Sequence, residues 1–323
     1  MLKGTLPSSL QNCSMLQILD MTKNLFFETI PHWFGQFPKL RILVLKSNKF
    51  QGRIPHQLSN LSSLHVLDIS DNNLIGGIPL QLATLTALKD PQVTSSKASG
   101  DTFYYREEVQ VTIKEMELVY HRSILLLITC IDLSSNQLSG DIPSEFGNLK
   151  GLRTLNLSRN SLTGRIPVSF GMLEQLESLD LSNNKLNGRI PNEMLQATSL
   201  SFFIVSNNTF CGRIPVGRQF STFKPTFFSG NPSLCGFPLD NISCGCEQKL
   251  SPPMLPISPS RDEEKEEEIK MPWYWYVSWM ASYALGFWGV FVILFMKKRL
   301  RGKYIEVMDG IVIRLAEIFP GRN

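Results

Sequence analysis

The sequence predicts a solenoid of stacked coils with one short parallel strand per coil. Three observations carry this. First, Ile128, Leu152 and Leu176 open the lines ITCIDLSSNQLSGDIPSEFGNLKG, LRTLNLSRNSLTGRIPVSFGMLEQ and LESLDLSNNKLNGRIPNEMLQATS, a period of 24 residues kept without a slip. A fixed period of this length marks a stacked array, because a single coil cannot bury its own apolar face. Second, Leu155 and Leu157 alternate with polar residues, the pattern of a strand with one face inward. Third, Asn, Gly and Ile-Pro recur at constant offsets in every line.

Each recurrent residue has a physical task. An inward Asn160 satisfies backbone groups that the turn would otherwise leave buried and unpaired. Gly164 suits a bend that needs positive φ. Ile166-Pro167 begins an extended return, where a missing N–H costs nothing. Phe170 and Leu173 close the core.

In chain order, residues 1–15 form half a line, with Leu2-x-Gly4-x-Leu6-Pro7 matching its second half. This reads as the C-terminal part of a longer protein or a truncated gene product. Whole lines start at Leu16, Leu40 and Leu64, with Asn24, Asn48 and Asn72 in place and Glu28 where Gly is usual. The period then breaks. Pro79 to Pro143 is 64 residues, one period plus 40, so an insertion runs over 88–127. It opens polar, then shows strand alternation at Val109, Val111 and Ile113. An insertion this long in a compact array is functional or disordered, and its aromatic and β-branched content argues for order. Four further lines start at Ile128, Leu152, Leu176 and Leu200, so repeats occupy 1–87 and 128–223.

Residues 224–249, past the end of the period, hold Phe227, Phe228, Cys235, Cys244 and Cys246. A Pro-rich then acidic linker follows at 250–270, solvated and extended. Trp273–Met296 carries no charge and, at ~1.5 Å per residue, is long enough to cross the ~30 Å hydrocarbon layer as a helix. Trp273, Tyr274, Trp275, Tyr276 and Trp279 form an aromatic belt at one end. Lys297-Lys298-Arg299 at the other places 297–323 in the cytosol and the repeats outside. Five Asn-x-Ser/Thr sites, Asn12, Asn60, Asn156, Asn207 and Asn241, fit a secreted face. The net charge of +4 is not gathered into a nucleic-acid patch.

The whole chain resembles the plant cell-surface receptor-like proteins, which carry leucine-rich repeats of the plant extracellular subclass and lack a kinase domain. The line LxxLxLxxNxLxGxIPxxLxxLxx carries the resemblance, as do the island, the cap sequence Asn231-Pro-Ser-Leu-Cys235-Gly-Phe-Pro and the single span. Within the island, Tyr105, Val109, Val111-Thr112, Lys114, Glu117 and Tyr120 follow the family pattern, and Glu115 stands where the family has Gly. The resemblance implies a plasma-membrane, single-pass type I glycoprotein that binds an extracellular peptide or protein. It further implies signalling through a partner receptor kinase or co-receptor, in plant defence or development. It also implies a cap disulfide from Cys235 to Cys244 or Cys246. Cys13 and Cys130 read as buried thiols, and Cys211 as free or paired.

For binding, the outward strand positions are the candidates: Ile42, Val44, Lys46, Arg159, Phe202 and Ile204, with the apolar ones expected to be exposed. Tyr104, Tyr105, Lys114 and Tyr120 either pack the island onto the solenoid or contact a ligand. Ser278, Ser282 and Gly286 recur every four residues in the span and allow close approach of a partner helix.

Chemistry is weakly represented. His32 and His56 share one repeat position but have no third ligand recurring with them. Asp68 and Asp132 become neighbours if the coils flanking the island stack, yet Asp is a common filler there. No Ser-His-Asp set, phosphate loop or zinc spacing is present, and the tail is far too short for a kinase. We expect no enzyme, no cofactor, no metal and no nucleic-acid partner. The alternative is a truncated, non-signalling decoy that occupies co-receptors.

Overall fold

The computed structural model describes residues 1–89, 108–113, 116–121, 128–239 and 244–246. The chain divides into two compact units, Met1–Leu250 and Ser251–Asn323, and the second lies outside the described residues.

The repeats form a parallel solenoid. One seven-stranded sheet runs through Ile18–Asp20, Ile42–Val44, Val66–Asp68, Cys130–Asp132, Thr154–Asn156, Ser178–Asp180 and Phe202–Ile204. Each strand pairs with the next in strict register. The sheet does not stop at the insertion: Cys130, Ile131 and Asp132 pair with Val66, Leu67 and Asp68. The Gly151 N–H also bonds the Leu88 carbonyl at 2.9 Å, so the coils on either side of the island close directly on each other.

A second layer of short parallel strands follows each Asn, including Asn73–Gly76, Gln137–Asp141 and Ser161–Thr163. Opposite the main sheet stand short 3-10 turns such as His56–Asn60 and Val168–Met172. Each of those two starts just after the Pro of Ile-Pro, held at φ −70° at Pro55 and −62° at Pro167. The fixed proline φ leads into the turn, and its missing N–H is one the turn would have left unpaired.

Inward leucines and phenylalanines make one continuous core from Leu6 to Leu234. Gly164 sits at φ 75° as the bend requires. The asparagines form a ladder. Asn72 donates through Nδ2 to the carbonyls of Leu45, Ile69 and Ser70, and its Oδ1 accepts the Phe50 N–H at 2.9 Å. Each rung therefore ties its own turn to the coil before it.

Glycines of the 3-10 turns set the coil-to-coil approach on the outer side. A Cβ at Gly171 would stand 2.4 Å from the Glu193 carbonyl oxygen. The obstacle is backbone, so relief requires the two coils to separate. We expect Gly171→Ala to lower stability by about 1–3 kcal/mol, read from chemical denaturation. The same change at Gly77, where the nearest atom would lie 3.7 Å away, is the control.

The island contains an antiparallel hairpin, Glu108–Ile113 with Met116–His121, in which Val109 pairs with Tyr120 and Ile113 with Met116. The alternation of Val109, Val111 and Ile113 is therefore a strand. No helix among the described residues is long and apolar enough to cross a membrane; the span expected at Trp273–Met296 lies outside them.

Candidate ligand-binding face

The outward positions of the seven strands form one surface, because side chains alternate across a strand and the register is strict. Its character changes along the array.

The first part is apolar, and here one expectation is corrected. Ile42 and Val44 are not exposed: they are 3% and 0% accessible. They pack with Val66, Ile128 and Cys130, and Ile18 lies against the same cluster. Alternation correctly set the face, but neighbouring apolar side chains on parallel strands bury one another's flanks. Ile204, also expected exposed, is 5% accessible, and it belongs to the main core beneath the C-terminal coil. Phe202 is half-buried and its ring centroid lies 5.6 Å from that of Phe227. Lys46 is half-buried; Arg159, expected at an outward strand position, instead lies three residues past the strand Thr154–Asn156, exposed in the turn with a left-handed φ of 53°.

The centre is acidic and closed. Asp68 and Asp132 sit side by side in register, 1% and 2% accessible. Ser70 donates its N–H (3.0 Å) and hydroxyl (2.6 Å) to Asp68 Oδ1. Ser134 does the same for Asp132 Oδ1 at 2.9 and 2.6 Å, and Asn156 Nδ2 donates to Asp132 Oδ2 at 3.1 Å. Asp68 Oδ2 is buried with no donor among the described residues. Burial is the main cause that raises both carboxyls above the usual range, and mutual repulsion adds to it at Asp132, pushed up to about 7. Burial first, then the two carboxylates, pushes the Cys130 thiol well up, so it stays protonated.

Between this centre and the last strand the surface is polar and only partly open, with Thr154 and Ser178 buried. Asn156 and Asp180 are half-buried, and Arg153 reaches Glu177 at 2.6 Å across one coil step. The partial exposure of that ion pair makes it worth little in stability.

Of the sequons, Asn12, Asn60 and Asn207 are exposed. Asn207 Nδ2 donates to Asn183 Oδ1 at 3.0 Å. Asn156 is the exception, with its amide spent on Asp132 and its Oδ1 on Ser158. Asn241 lies outside the described residues.

At the C-terminal end Cys235 bonds Cys244, and Cys211 bonds Cys246. Cys130 is a buried free thiol, whereas Cys13 is free and exposed, which corrects the expectation of burial. Cys13 holds the position that Phe37 and Leu61 fill in later coils, but it follows a turn, Ser8–Asn12, that has no buried residue, where the later turns bury Phe34 and Leu58. His32 and His56 are exposed at the start of their 3-10 turns. No group of three metal-ligating side chains occurs among the described residues.

Tyr104, Tyr105 and Lys114, and the span positions Ser278, Ser282 and Gly286, lie outside the described residues. Tyr120 is placed by backbone only, in the hairpin. What the sequence did not single out as a unit is the Asp68–Asp132–Asn156 network. The signal was present: Asp-x-Ser at 68–70 and 132–134 and Asn-x-Ser at 156–158 stand one above another once the island is excised.

The leucine-rich-repeat family model matches residues 5–74 and 128–186. Among solved structures, the chain is similar to the Arabidopsis thaliana membrane receptor kinase GASSHO1/SCHENGEN3 ectodomain in complex with CASPARIAN STRIP INTEGRITY FACTOR 2. The two share 31% identity over 73% of this chain and 26% of that one, with a TM-score of 0.53. It is also similar to the Arabidopsis receptor kinase HAESA ectodomain in complex with an N-terminally extended IDA peptide hormone ligand, at 30% identity over 76% of this chain and 34% of that one, with a TM-score of 0.56. The chain thus spans about a quarter to a third of the length of these ectodomains. No curated protein shows significant similarity to the sequence. The two matched blocks, the Asn ladder and the seven-stranded parallel sheet make the described repeats a leucine-rich-repeat solenoid, similar in fold to these two plant receptor ectodomains.

Proposed function

We propose that the chain is a cell-surface receptor-like protein. Its repeat surface binds an extracellular peptide or protein ligand, and association with a partner receptor kinase carries the signal. The observation that supports this most is the continuous outward surface of the main sheet, uninterrupted at the island, on a fold shared with two ectodomains solved with ligands. Solenoids use such extended surfaces for partners. The half past Asp132, with the half-buried Asn156, Asp180 and Phe202 and the exposed Arg159 of the adjoining turn, is the part available for contact.

The island contributes to the same task. Tyr104, Tyr105, Lys114 and Tyr120 contact ligand or co-receptor, and Ser278, Ser282 and Gly286 form the face through which the span meets the kinase span. The plasma membrane, type I orientation, glycans at Asn12, Asn60 and Asn207, and a role in defence or development belong to this reading.

The experiment is co-purification of receptor kinases with the full-length chain from plant membranes. Arg159→Glu is expected to cut ligand-dependent association about tenfold or more. Ser282→Leu with Gly286→Leu is expected to cut association whether or not ligand is present. The reading fails if both variants recover kinase like the parent chain. Recovery of a kinase without any downstream response would instead favour the decoy.

A further inference from the structure

The acidic pair joins the coils that flank the island in sequence, and ligand capture does not require it. Asp68 ends the last strand of the seven-stranded sheet before the insertion, and Asp132 ends the first strand of that sheet after it. The joint that closes the solenoid over the insertion is thus lined by two fully buried carboxyls on adjacent strands, which lie ~4.8 Å apart in a sheet. Buried acceptors are ordinarily matched by donors. Three of the four oxygens meet that rule through Ser70, Ser134 and Asn156, and Asp68 Oδ2 does not. A proton on one carboxyl supplies the missing donor and removes the repulsion together.

We propose that Asp68 and Asp132 form a proton-controlled joint: a shared proton holds the coils before and after the island together, and loss of that proton loosens them.

The surroundings fit this. From the neighbouring strand segment Lys46 opposes the effect at Asp68, and from the strand beyond it Asp20 reinforces it. From the other side the facing residue is the neutral Asn156, with Asp180 one strand further on. On their own strands Cys130 stays a neutral thiol and His65 is buried. Desolvation is the largest cause at both carboxyls. Both folded-state values lie above the ordinary carboxylate value of 3.8. The native chain therefore holds a proton that the unfolded chain has released. That stabilisation is complete below about pH 4 and is lost as pH rises through about 7. The joint tightens on acidification, opposite to a salt-bridged carboxylate.

The test is amide hydrogen exchange on the full chain in detergent from pH 5 to pH 8, corrected for intrinsic rates. The reporters are the Ile69 and Asp71 N–H groups, which bond the carbonyls of Asp132 and Ser134 across the joint at 3.0 and 2.9 Å. The controls are the Leu157 and Arg159 N–H groups, which bond Asp180 and Ser182 at 2.8 and 2.9 Å in an ordinary joint. Protection of the reporters should fall by up to about tenfold per pH unit from pH 5 until the shared proton is lost near pH 7 and level off above that, while the controls hold steady. Asp68→Asn sets an amide N–H where the proton would sit, and should keep the reporters protected throughout. Asp132→Asn serves the same purpose if the first variant does not fold. Parallel behaviour of reporters and controls overturns the proposal. So does a joint-specific loss that persists in both variants.

Discussion

Asn136→Ala is expected to destabilise the ectodomain by about 3–5 kcal/mol, the largest effect of any single polar substitution in the array. Asn136 is the ladder rung at the island joint. Its Nδ2 donates to the carbonyls of Ile69, Leu133 and Ser134 at 3.1, 3.2 and 3.1 Å, and its Oδ1 accepts the Leu74 N–H at 3.0 Å. Alanine removes all four bonds, and at 9% accessibility little water can replace them. Each buried group left unpaired costs about 1–3 kcal/mol, less than additively because the groups are neighbours. Asn160 makes the same four bonds but is half-buried and links coils contiguous in sequence, so its loss should cost less, about 1–3 kcal/mol. At position 136 two of the bonds tie together segments 62 and 67 residues apart. Losing them releases a long loop as well as a hydrogen bond. Because repeat arrays need not unfold in one step, the measurement is denaturation followed by both circular dichroism and exchange at the Leu74 amide. A shift under 1 kcal/mol with the Leu74 amide still protected would show that the rung is dispensable.

Much of this was legible in the sequence, and the reason is the period. When Asn recurs at one offset, its partners recur too, so a reading of Asn160 as a backbone satisfier transfers to Asn72 and Asn136 without further information. The juxtaposition of Asp68 and Asp132 followed from the same arithmetic once 88–127 was set aside. What did not follow was depth. Alternation assigns Ile42 and Val44 to the outward face, but the sequence carries no measure of how far apolar neighbours on that face bury one another. The glycines of the 3-10 turns were missed for a related reason. Gly147 and Gly171 occupy a position that Ser59 and Leu195 fill in other lines, so it reads as variable. A Cβ at Gly171 nonetheless meets the next coil's backbone. Cys211 was ambiguous because its partner, Cys246, lies where the period has ended and repeat arithmetic no longer locates anything.

That last bridge leads to the second large effect. Cys211→Ser with Cys246→Ser should cost the C-terminal end of the array about 3–4 kcal/mol, and Cys235→Ser with Cys244→Ser slightly less, about 3 kcal/mol. The order follows from loop length: the first pair closes 35 residues and the second only 9, and a longer loop removes more entropy from the unfolded chain. The bridge from Cys211 also sits where it matters mechanically. Beneath it, Phe203 packs against Phe220, Phe223 and Phe228 with ring centroids 5.3 to 6.3 Å apart, and Phe203 and Phe228 are fully buried. These rings cover a core that would otherwise end in an open coil, and the last Asn of the ladder, Asn231, reaches from the cap to the Val205 carbonyl at 3.0 Å. In a stack where each coil is stabilised by its neighbours, freeing the last one exposes the next, so unfolding should start from this end. Phe203→Ala is expected to cost about 3–5 kcal/mol through the same route, by opening a cavity among rings. The measurement is pulse proteolysis without reductant, with cleavage sites mapped by mass spectrometry. Early cuts between Phe202 and Leu239 in the Cys211/Cys246 variant, absent from the parent, are the expected result. If the variant matches the parent in midpoint and first cleavage site, the aromatic cluster alone closes the array and the bridge adds nothing to it.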